Sequence, residues 1–180
     1  VEIIEGDILK LDLHHSHVIR RLASHSYKVV GNIPYYITSN LLRTIFEKWP
    51  KPKLIVLTIQ KEVAQRIVAK PPHMNLLALS VQFFAEPKII SYISKENFRP
   101  RPKVDSAIIK LTPKEKLPAV DTEKLFNIVR AGFSQKRKQL KNNLQKIFGN
   151  QVDKILVQKG INPESRAEEL TVNDWLRICV

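Results

Sequence analysis

Asn32, Ile33, Pro34 and Tyr35 place a carboxamide, a residue restricted by a following proline, the proline itself and an aromatic ring in four consecutive positions. They follow an apolar stretch, Tyr27 to Val30, that reads as a strand ended by Gly31. In an open α/β sheet, ligands bind beyond the carboxyl ends of the strands, so a polar turn there is a candidate site. Asn, Gly and Pro also favour turns for backbone reasons alone, and an ordinary strand-to-helix turn accounts for the same residues. The chemistry that would use all four residues is substitution at a planar exocyclic amine such as that of adenine. Such an amine is a poor nucleophile, because its lone pair is delocalised into the ring. Two hydrogen-bond acceptors aimed at its protons would localise the lone pair and stabilise the positive charge that develops on attack. The Asn32 side-chain oxygen is one acceptor. The Ile33 carbonyl is the second, because a residue before proline is pushed to extended geometry. Tyr35 offers a flat face for a base turned out of its stack. No ionisable base is required, since the methylated amine is acidic enough to lose its proton to water.

The formal net charge of the 180 residues is +13. Basic chains of this kind meet phosphate backbones, although a solvated surface also accounts for net charge taken alone. The distribution favours nucleic acid. No acidic residue occurs from Lys124 to Val152, a stretch carrying Lys124, Arg130, Lys136, Arg137, Lys138, Lys141 and Lys146. A second cluster, Arg99, Arg101 and Lys103, is interleaved with prolines. No apolar run reaches the roughly 18 residues that span a bilayer, and no basic and apolar leader opens the chain, so a membrane role is not expected and the cytoplasm is. The single Cys179 has no internal disulfide partner, and no Cys/His cluster has metal-ligand spacing, so no metal is expected.

The elements that must position the turn follow from periodicity. Val1 to Ile4 reads as a strand, Glu5-Gly6-Asp7 as the turn at its carboxyl end, and a helix is expected through Val18 to Leu22. Thr38 or Ser39 is placed to cap a helix running to about Lys48, with Leu41, Leu42, Ile45 and Phe46 on its buried face. Lys53 to Ile59 is rich in branched residues, as in a strand buried on both faces. Helices are expected over Lys61 to Ala69 and Leu76 to Phe84. Lys88 to Ile93 and Val104 to Leu111 read as two strands around a Pro-rich loop, an antiparallel pair at one edge of a mostly parallel sheet. The reading is α/β: part of a Rossmann-like sheet domain over residues 1–112, a linker over 113–120, and a small all-α basic domain over 121–180. In the helical part apolar residues recur at Leu125, Ile128, Val129 and Phe133, then at Leu140, Leu144, Ile147 and Phe148, with Leu140, Leu144 and Ile147 expected in the core. Gly160 ends another helix and Pro163 is placed to open the next. Thr171 with Asp174 resembles a capping box. The five glycines form no G-x-G turn, so the sheet domain lacks an obvious cofactor loop and is expected to begin partway through.

Asn32-Ile33-Pro34-Tyr35 is similar to the N-x-P-Y signature of adenine-N6 methyltransferases. Further segments narrow the resemblance. Gln60-Lys61-Glu62-Val63-Ala64-Gln65-Arg66 resembles a Q-K-E-V-x-x-R segment, and Phe98 to Ser106 an F-x-P-x-P-K-V-D-S loop. Phe133 to Leu144 resembles an F-x-x-R-R-K-x-x-x-N-x-L helix, and Arg166-Ala167-Glu168-Glu169-Leu170 an R-A-E-x-L segment. Together, in this order and over nearly the whole chain, they resemble the KsgA-type small-subunit rRNA adenine N6,N6-dimethyltransferases.

That resemblance implies a reaction, a donor and site residues. The reaction is dimethylation of adenine N6 on two adjacent adenosines near the 3′ end of small-subunit rRNA, with a role in small-subunit maturation. The methyl donor is S-adenosylmethionine. Asp7 is implied to meet the donor's adenine amine, Asn32 to be catalytic and border the donor, and Phe98 to stack on the target base opposite Tyr35. Arg99, Arg101, Lys103, Lys136, Arg137, Lys138 and Lys141 are implied to meet rRNA or an immature small subunit, with the protein a monomer. Family members carry upstream a G-x-G-x-G turn and an acidic residue for the donor's ribose; neither is among these 180 residues, so weak or no donor binding by this fragment is expected. Leu76-Leu77 stands where the family often has Tyr-Gly, a departure in local loop geometry. Three other readings remain open: a large-subunit rRNA methyltransferase of the macrolide-resistance type, a non-catalytic rRNA-binding assembly factor, and a DNA adenine methyltransferase.

Overall fold

A computed structural model of the chain describes residues 3, 5–10 and 26–179. The expected helix through Val18 to Leu22 lies outside the described residues, as does the expected Val1 to Ile4 strand apart from Ile3. The chain divides into two compact units, Val1–Gln65 with Phe84–Glu115 and Arg66–Phe83 with Lys116–Val180. The stretch Arg66–Phe83, placed by sequence in the α/β part, therefore groups with the helical part.

The first unit is built on a four-stranded sheet of order β1-β2-β4-β3: β1 (Lys28–Asn32), β2 (Leu54–Gln60), β3 (Ala85–Ile93) and β4 (Ser106–Pro113). β1 and β2 are parallel, and β4 runs antiparallel to both β2 and β3. The expected antiparallel pair is present at one edge, and among the described strands the parallel pairing is the single one of β1 with β2. Edge position explains how β3 tolerates Pro87, which has no N–H for a ladder. A register shift between Ile89 and Ser91 leaves Ile90 as the bulged residue.

On β2, Ile55, Leu57 and Ile59 are fully buried while Leu54, Val56, Thr58 and Gln60 are half-buried. The expectation of burial on both faces therefore fails on one of them. Val56 pairs in register with Val30, which is 76% exposed, so this face of the described sheet is open at its β1 edge. Ile109 and Leu111 of β4 join the buried face. Each such side chain contributes roughly 1.5–3 kcal/mol by leaving water.

Helix α1 (Thr38–Glu47) buries Leu41, Leu42 and Ile45, and its Phe46 ring stacks on Phe84 at 5.2 Å between centroids. The expected Thr38 or Ser39 cap is not formed. A 3-10 turn, Tyr35–Ile37, precedes the helix, and the Thr38 N–H and hydroxyl both donate to the Tyr35 carbonyl. The turn supplies the acceptor, so no side-chain cap is needed. α2 (Lys61–Ile67) follows β2 without a break.

The second unit contains most of α3 (Leu76–Phe84), then α4 (Thr122–Gly132), α5 (Leu140–Phe148), α6 (Val152–Gln158) and α7 (Val172–Cys179). Asp121 caps α4 by accepting from the Lys124 N–H at 3.0 Å. Leu125, Ile128, Val129, Leu140 and Leu144 are core as expected, whereas Ile147 is 42% exposed. Ile147 falls in the last turn of this nine-residue helix. Gly160, at φ +69°, follows α6, but Pro163 opens no helix; α7 begins only at Val172. Arg66–Phe83 belongs here for specific reasons. The Met74 N–H donates to the Glu168 carbonyl, and the Phe83 ring meets Phe126 edge-on at 5.6 Å. Asn75 caps α3 through the Ala78 N–H while donating to the Arg66 carbonyl.

Trp175 of α7 is fully buried against Gly132, and Phe133 stacks on it at 5.7 Å. A Cβ at Gly132 would overlap the Trp175 ring. Gly132→Ala is therefore expected to destabilise the protein by about 1–3 kcal/mol, the usual range for overpacking. Replacing Trp175 by Phe in the same protein should recover part of that loss, because the colliding atoms belong to the outer ring of the indole. Chemical denaturation of the two single variants and the double variant checks this; strictly additive losses would refute the overlap.

The Thr171–Asp174 capping box is formed. The Thr171 N–H donates to Asp174 Oδ2 at 2.8 Å, and the Asp174 N–H donates to Thr171 Oγ1 at 3.2 Å. Burial pushes the Asp174 carboxyl up, but hydrogen bonds from Thr171 and the Arg177 guanidinium outweigh it and hold the group below its ordinary 3.8. A carboxyl lowered in the folded state stabilises fully above its unfolded value and loses that effect as pH falls through the folded one. Asp174→Ala should thus cost about 1 kcal/mol at neutral pH. The gap to the parent protein should close as pH drops below that ordinary value, which unfolding curves between neutral and acid pH will read.

Candidate functional site

Asn32 ends β1, opposite Thr58 in register, and its side chain is exposed with no hydrogen-bond partner among the described residues. Gly31 before it lies close under two side chains. A Cβ there would come within 3.1 Å of Ile33 Cγ2 and 3.4 Å of Leu57 Cδ2, so glycine lets the turn lie close against β2. Pro34, at φ −57° and ψ 133°, carries the chain from the strand into the 3-10 turn, and its carbonyl accepts from the Ile37 N–H at 3.2 Å. Tyr35 is half-buried, and its hydroxyl lies 2.7 Å from Ser106 Oγ. Ser106 is fully buried at the start of β4. The turn is thus fixed at both ends, by the β1 ladder and by a hydrogen bond to an interior strand.

The same end of the sheet carries the loop that joins β3 to β4. Ile93 pairs with Ser106, and residues 94–105 form the connection. A 3-10 turn, Lys95–Asn97, opens it, capped by Ser94 accepting from the Glu96 N–H. Phe98 follows, half-buried, with its N–H on the Lys95 carbonyl. Asp105 closes the loop. Its carboxylate accepts from the Lys95 N–H at 3.2 Å, and its carbonyl accepts from the Lys61 N–H at 3.0 Å. The Lys61 ammonium lies 3.9 Å from the same carboxylate and 5.3 Å from the centre of the Tyr92 ring. Of the cations expected to meet nucleic acid here, Arg101 pairs with Glu96, Arg99 donates to the Glu96 and Phe98 carbonyls, and Lys103 is exposed. Arg99 and Arg101 therefore brace the loop as well as carrying its charge.

Asp7 is exposed in a turn it partly makes itself: its Oδ1 accepts from the Leu9 N–H at 3.0 Å and its carbonyl from the Lys10 N–H at 2.9 Å. Among the described residues no group of His, Cys, Asp and Glu is arranged to hold a metal, and no helix is long and apolar enough to cross a membrane.

In the helical unit the basic segment is not helical where its sequence suggests a helix. Lys136, Arg137 and Lys138 lie exposed in the turn between α4 and α5, and Lys141 alone of the four is in α5. Lys141 is half-buried, with its ammonium 3.7 Å from Glu164. The reason is Asn143, a buried polar residue for which the sequence analysis gives no role. Its amide donates to the Gly132 carbonyl at 2.6 Å and to the Gln135 carbonyl at 3.1 Å. It thereby satisfies the end of α4 and ties back the turn that follows. Asn143 lies three residues after Leu140, where helical spacing calls for an apolar residue, whereas Ser106 is marked as the last residue of the Phe98 to Ser106 motif.

Comparison with known proteins places this arrangement. A family model described as ribosomal RNA adenine dimethylase matches residues 1–180. A ribosomal RNA small subunit methyltransferase A from Rippkaea orientalis is 43% identical over 183 residues, covering 97% of this chain and 67% of that protein. The protein of the same name from Nostoc punctiforme is 41% identical, covering 97% and 64%. One from Dehalococcoides mccartyi is 40% identical over 159 residues, covering 86% and 55%. The chain thus spans between about half and two thirds of the length of these relatives. Among solved structures, a dimethyladenosine transferase from Plasmodium falciparum superposes with a TM-score of 0.78 at 26% identity, over 98% of this chain and 70% of that one. The 23S rRNA methyltransferase ErmE gives 0.72 at 21% identity and shares the fold. The mixed α/β unit is accordingly of the Rossmann-like methyltransferase kind, and with its whole length matched and its relatives this similar, the chain belongs to the ribosomal RNA adenine dimethylase family.

Proposed function

We propose that this chain is the RNA-facing part of an S-adenosylmethionine-dependent enzyme that dimethylates adenine N6 on two adjacent adenosines near the 3′ end of small-subunit rRNA. It acts as a monomer on the immature small subunit, in the cytoplasm. The observation that carries this reading is the placement of Asn32 to Tyr35. The acceptor-bearing residues stand at the carboxyl end of a parallel strand, with the Tyr35 ring fixed beside them. S-adenosylmethionine, when bound, supplies an electrophilic methyl group. Exposed Asn32 at the strand end and exposed Asp7 fit contacts to that donor.

The chain's own residues do the rest. In the first transfer the Asn32 side-chain oxygen and the Ile33 carbonyl accept from the two N–H groups of the target amine and localise its lone pair; in the second, one of them accepts from the N–H that remains. Tyr35 and Phe98 present rings to the flipped base, where stacking on an aromatic is worth about 1–3 kcal/mol. The proton released after transfer passes to water. Arg99, Arg101 and Lys103 on the loop, with Lys136, Arg137, Lys138 and Lys141, contact the phosphate backbone. Phosphate contacts of this kind position the RNA without reading its sequence.

The test uses the complete enzyme, labelled S-adenosylmethionine and small subunits lacking the modification. Label is expected as N6,N6-dimethyladenosine in small-subunit RNA; label only in large-subunit RNA, or binding without transfer, would overturn the reading. In the same assay Asn32→Ala should lower turnover about a hundredfold or more, as removal of one preorganised partner does. Near-normal turnover would remove Asn32 from the mechanism.

The basic turn makes a separate prediction. Replacing Lys136, Arg137 and Lys138 together by Ser should weaken RNA binding. It should also lower the slope of log affinity against log salt by about 0.7–0.9 for each phosphate no longer neutralised. These side chains are exposed, so the melting temperature should hold. An unchanged salt slope would mean that RNA does not touch this turn.

A further inference from the structure

Ser106 has a fully buried side chain, and a hydroxyl in that setting is costly unless paired. Its partner is the Tyr35 hydroxyl at 2.7 Å. The backbone of Ser106 is held on both sides, opposite Gln60 of β2 and Ile93 of β3, so its Oγ is a fixed point. Tyr35 is held otherwise. It starts a short 3-10 turn, and its ring hangs on two rotatable bonds. A bond made at the far tip of the ring restrains both rotations at the longest lever arm. The neighbouring residue performs the same service for the loop, since Asp105 accepts from Lys95 and Lys61 and so holds the segment carrying Phe98.

We propose that Ser106 is a positioning residue. It sets the tilt of the Tyr35 ring for the extruded adenine, and with Asp105 next to it fixes that ring and the Phe98 loop from one point of the sheet. The inference rests on reading Asn32 to Tyr35 as the target-base site. Ser106 acts through Tyr35 and touches no reacting atom.

Tyr35→Phe, Ser106→Ala and the double variant of the complete enzyme provide the test. Turnover is measured on small subunits, together with KM for S-adenosylmethionine. Stacking is read separately, by the quenching of 2-aminopurine placed at the target adenosine of an RNA fragment. Each single substitution should lower turnover roughly two- to tenfold, the factor that a hydrogen bond of ordinary net strength corresponds to. Each should also reduce quenching and leave KM for the donor unchanged. The double variant should be no worse than either single one, because both remove the same bond. Full activity in Ser106→Ala, single effects that multiply, or losses that track the melting temperature with quenching intact would overturn the positioning role alone. A parent enzyme that neither methylates nor quenches would sink the functional reading and this inference with it.

Discussion

The hydrogen bond between the hydroxyls of Tyr35 and Ser106 joins segments 71 residues apart. The rest of the site is arranged around the fixed point it provides. β4 enters the sheet between β2 and β3, so its first residue is immobilised from both sides. Its own hydroxyl reaches the turn after β1, and the preceding residue, Asp105, closes the β3–β4 loop. A hydroxyl buried without a partner would cost free energy in the range of a lost hydrogen bond, and this pairing removes the penalty while fixing an aromatic ring. Sheet register thus gathers the candidate site, because Asn32, Gln60, Ile93 and Ser106 all lie at one end of the sheet.

The helical unit uses the same physics for a different purpose. A chain leaving a helix must find donors for its last carbonyls. Asn143 supplies two N–H groups from the next helix, reaching the Gly132 and Gln135 carbonyls. The intervening turn is then closed and displays Lys136, Arg137 and Lys138 to solvent. Trp175 packs closely on Gly132, the last residue of α4. A cationic surface on a tight turn spaces its charges differently from one on a helix face.

Electrostatics here is divided between holding and displaying. Arg101 and Lys141 engage carboxylates of their own unit, Glu96 and Glu164, and Arg99 engages backbone carbonyls. Exposed pairs of this type contribute little to stability, in the range of about 0–1 kcal/mol. Their effect is to hold long side chains in place at segments that remain cationic overall. Screening at physiological salt reaches about 8 Å, so such charges act only on a partner near contact.

The sequence by itself determined the family resemblance, the α/β-then-helical order, and the core positions Leu41, Leu42, Ile45, Leu125, Leu140 and Leu144, because periodicity and short motifs are local properties of the chain. It also marked Asn32 to Tyr35 as a turn at a strand end. Only the tertiary structure decided the grouping of Arg66–Phe83 with the helices, the half-open face of β2, the exposure of Ile147, and the turn in place of a helix at Lys136. Each of these depends on which distant segment lies alongside, and no local pattern encodes that. Ser106 and Asn143 are the sharpest case. In sequence Asn143 is a polar residue on a helical stripe and Ser106 the end of a loop motif, and the structural meaning of each appears only when the fold brings the Gly132 carbonyl or Tyr35 within hydrogen-bond reach.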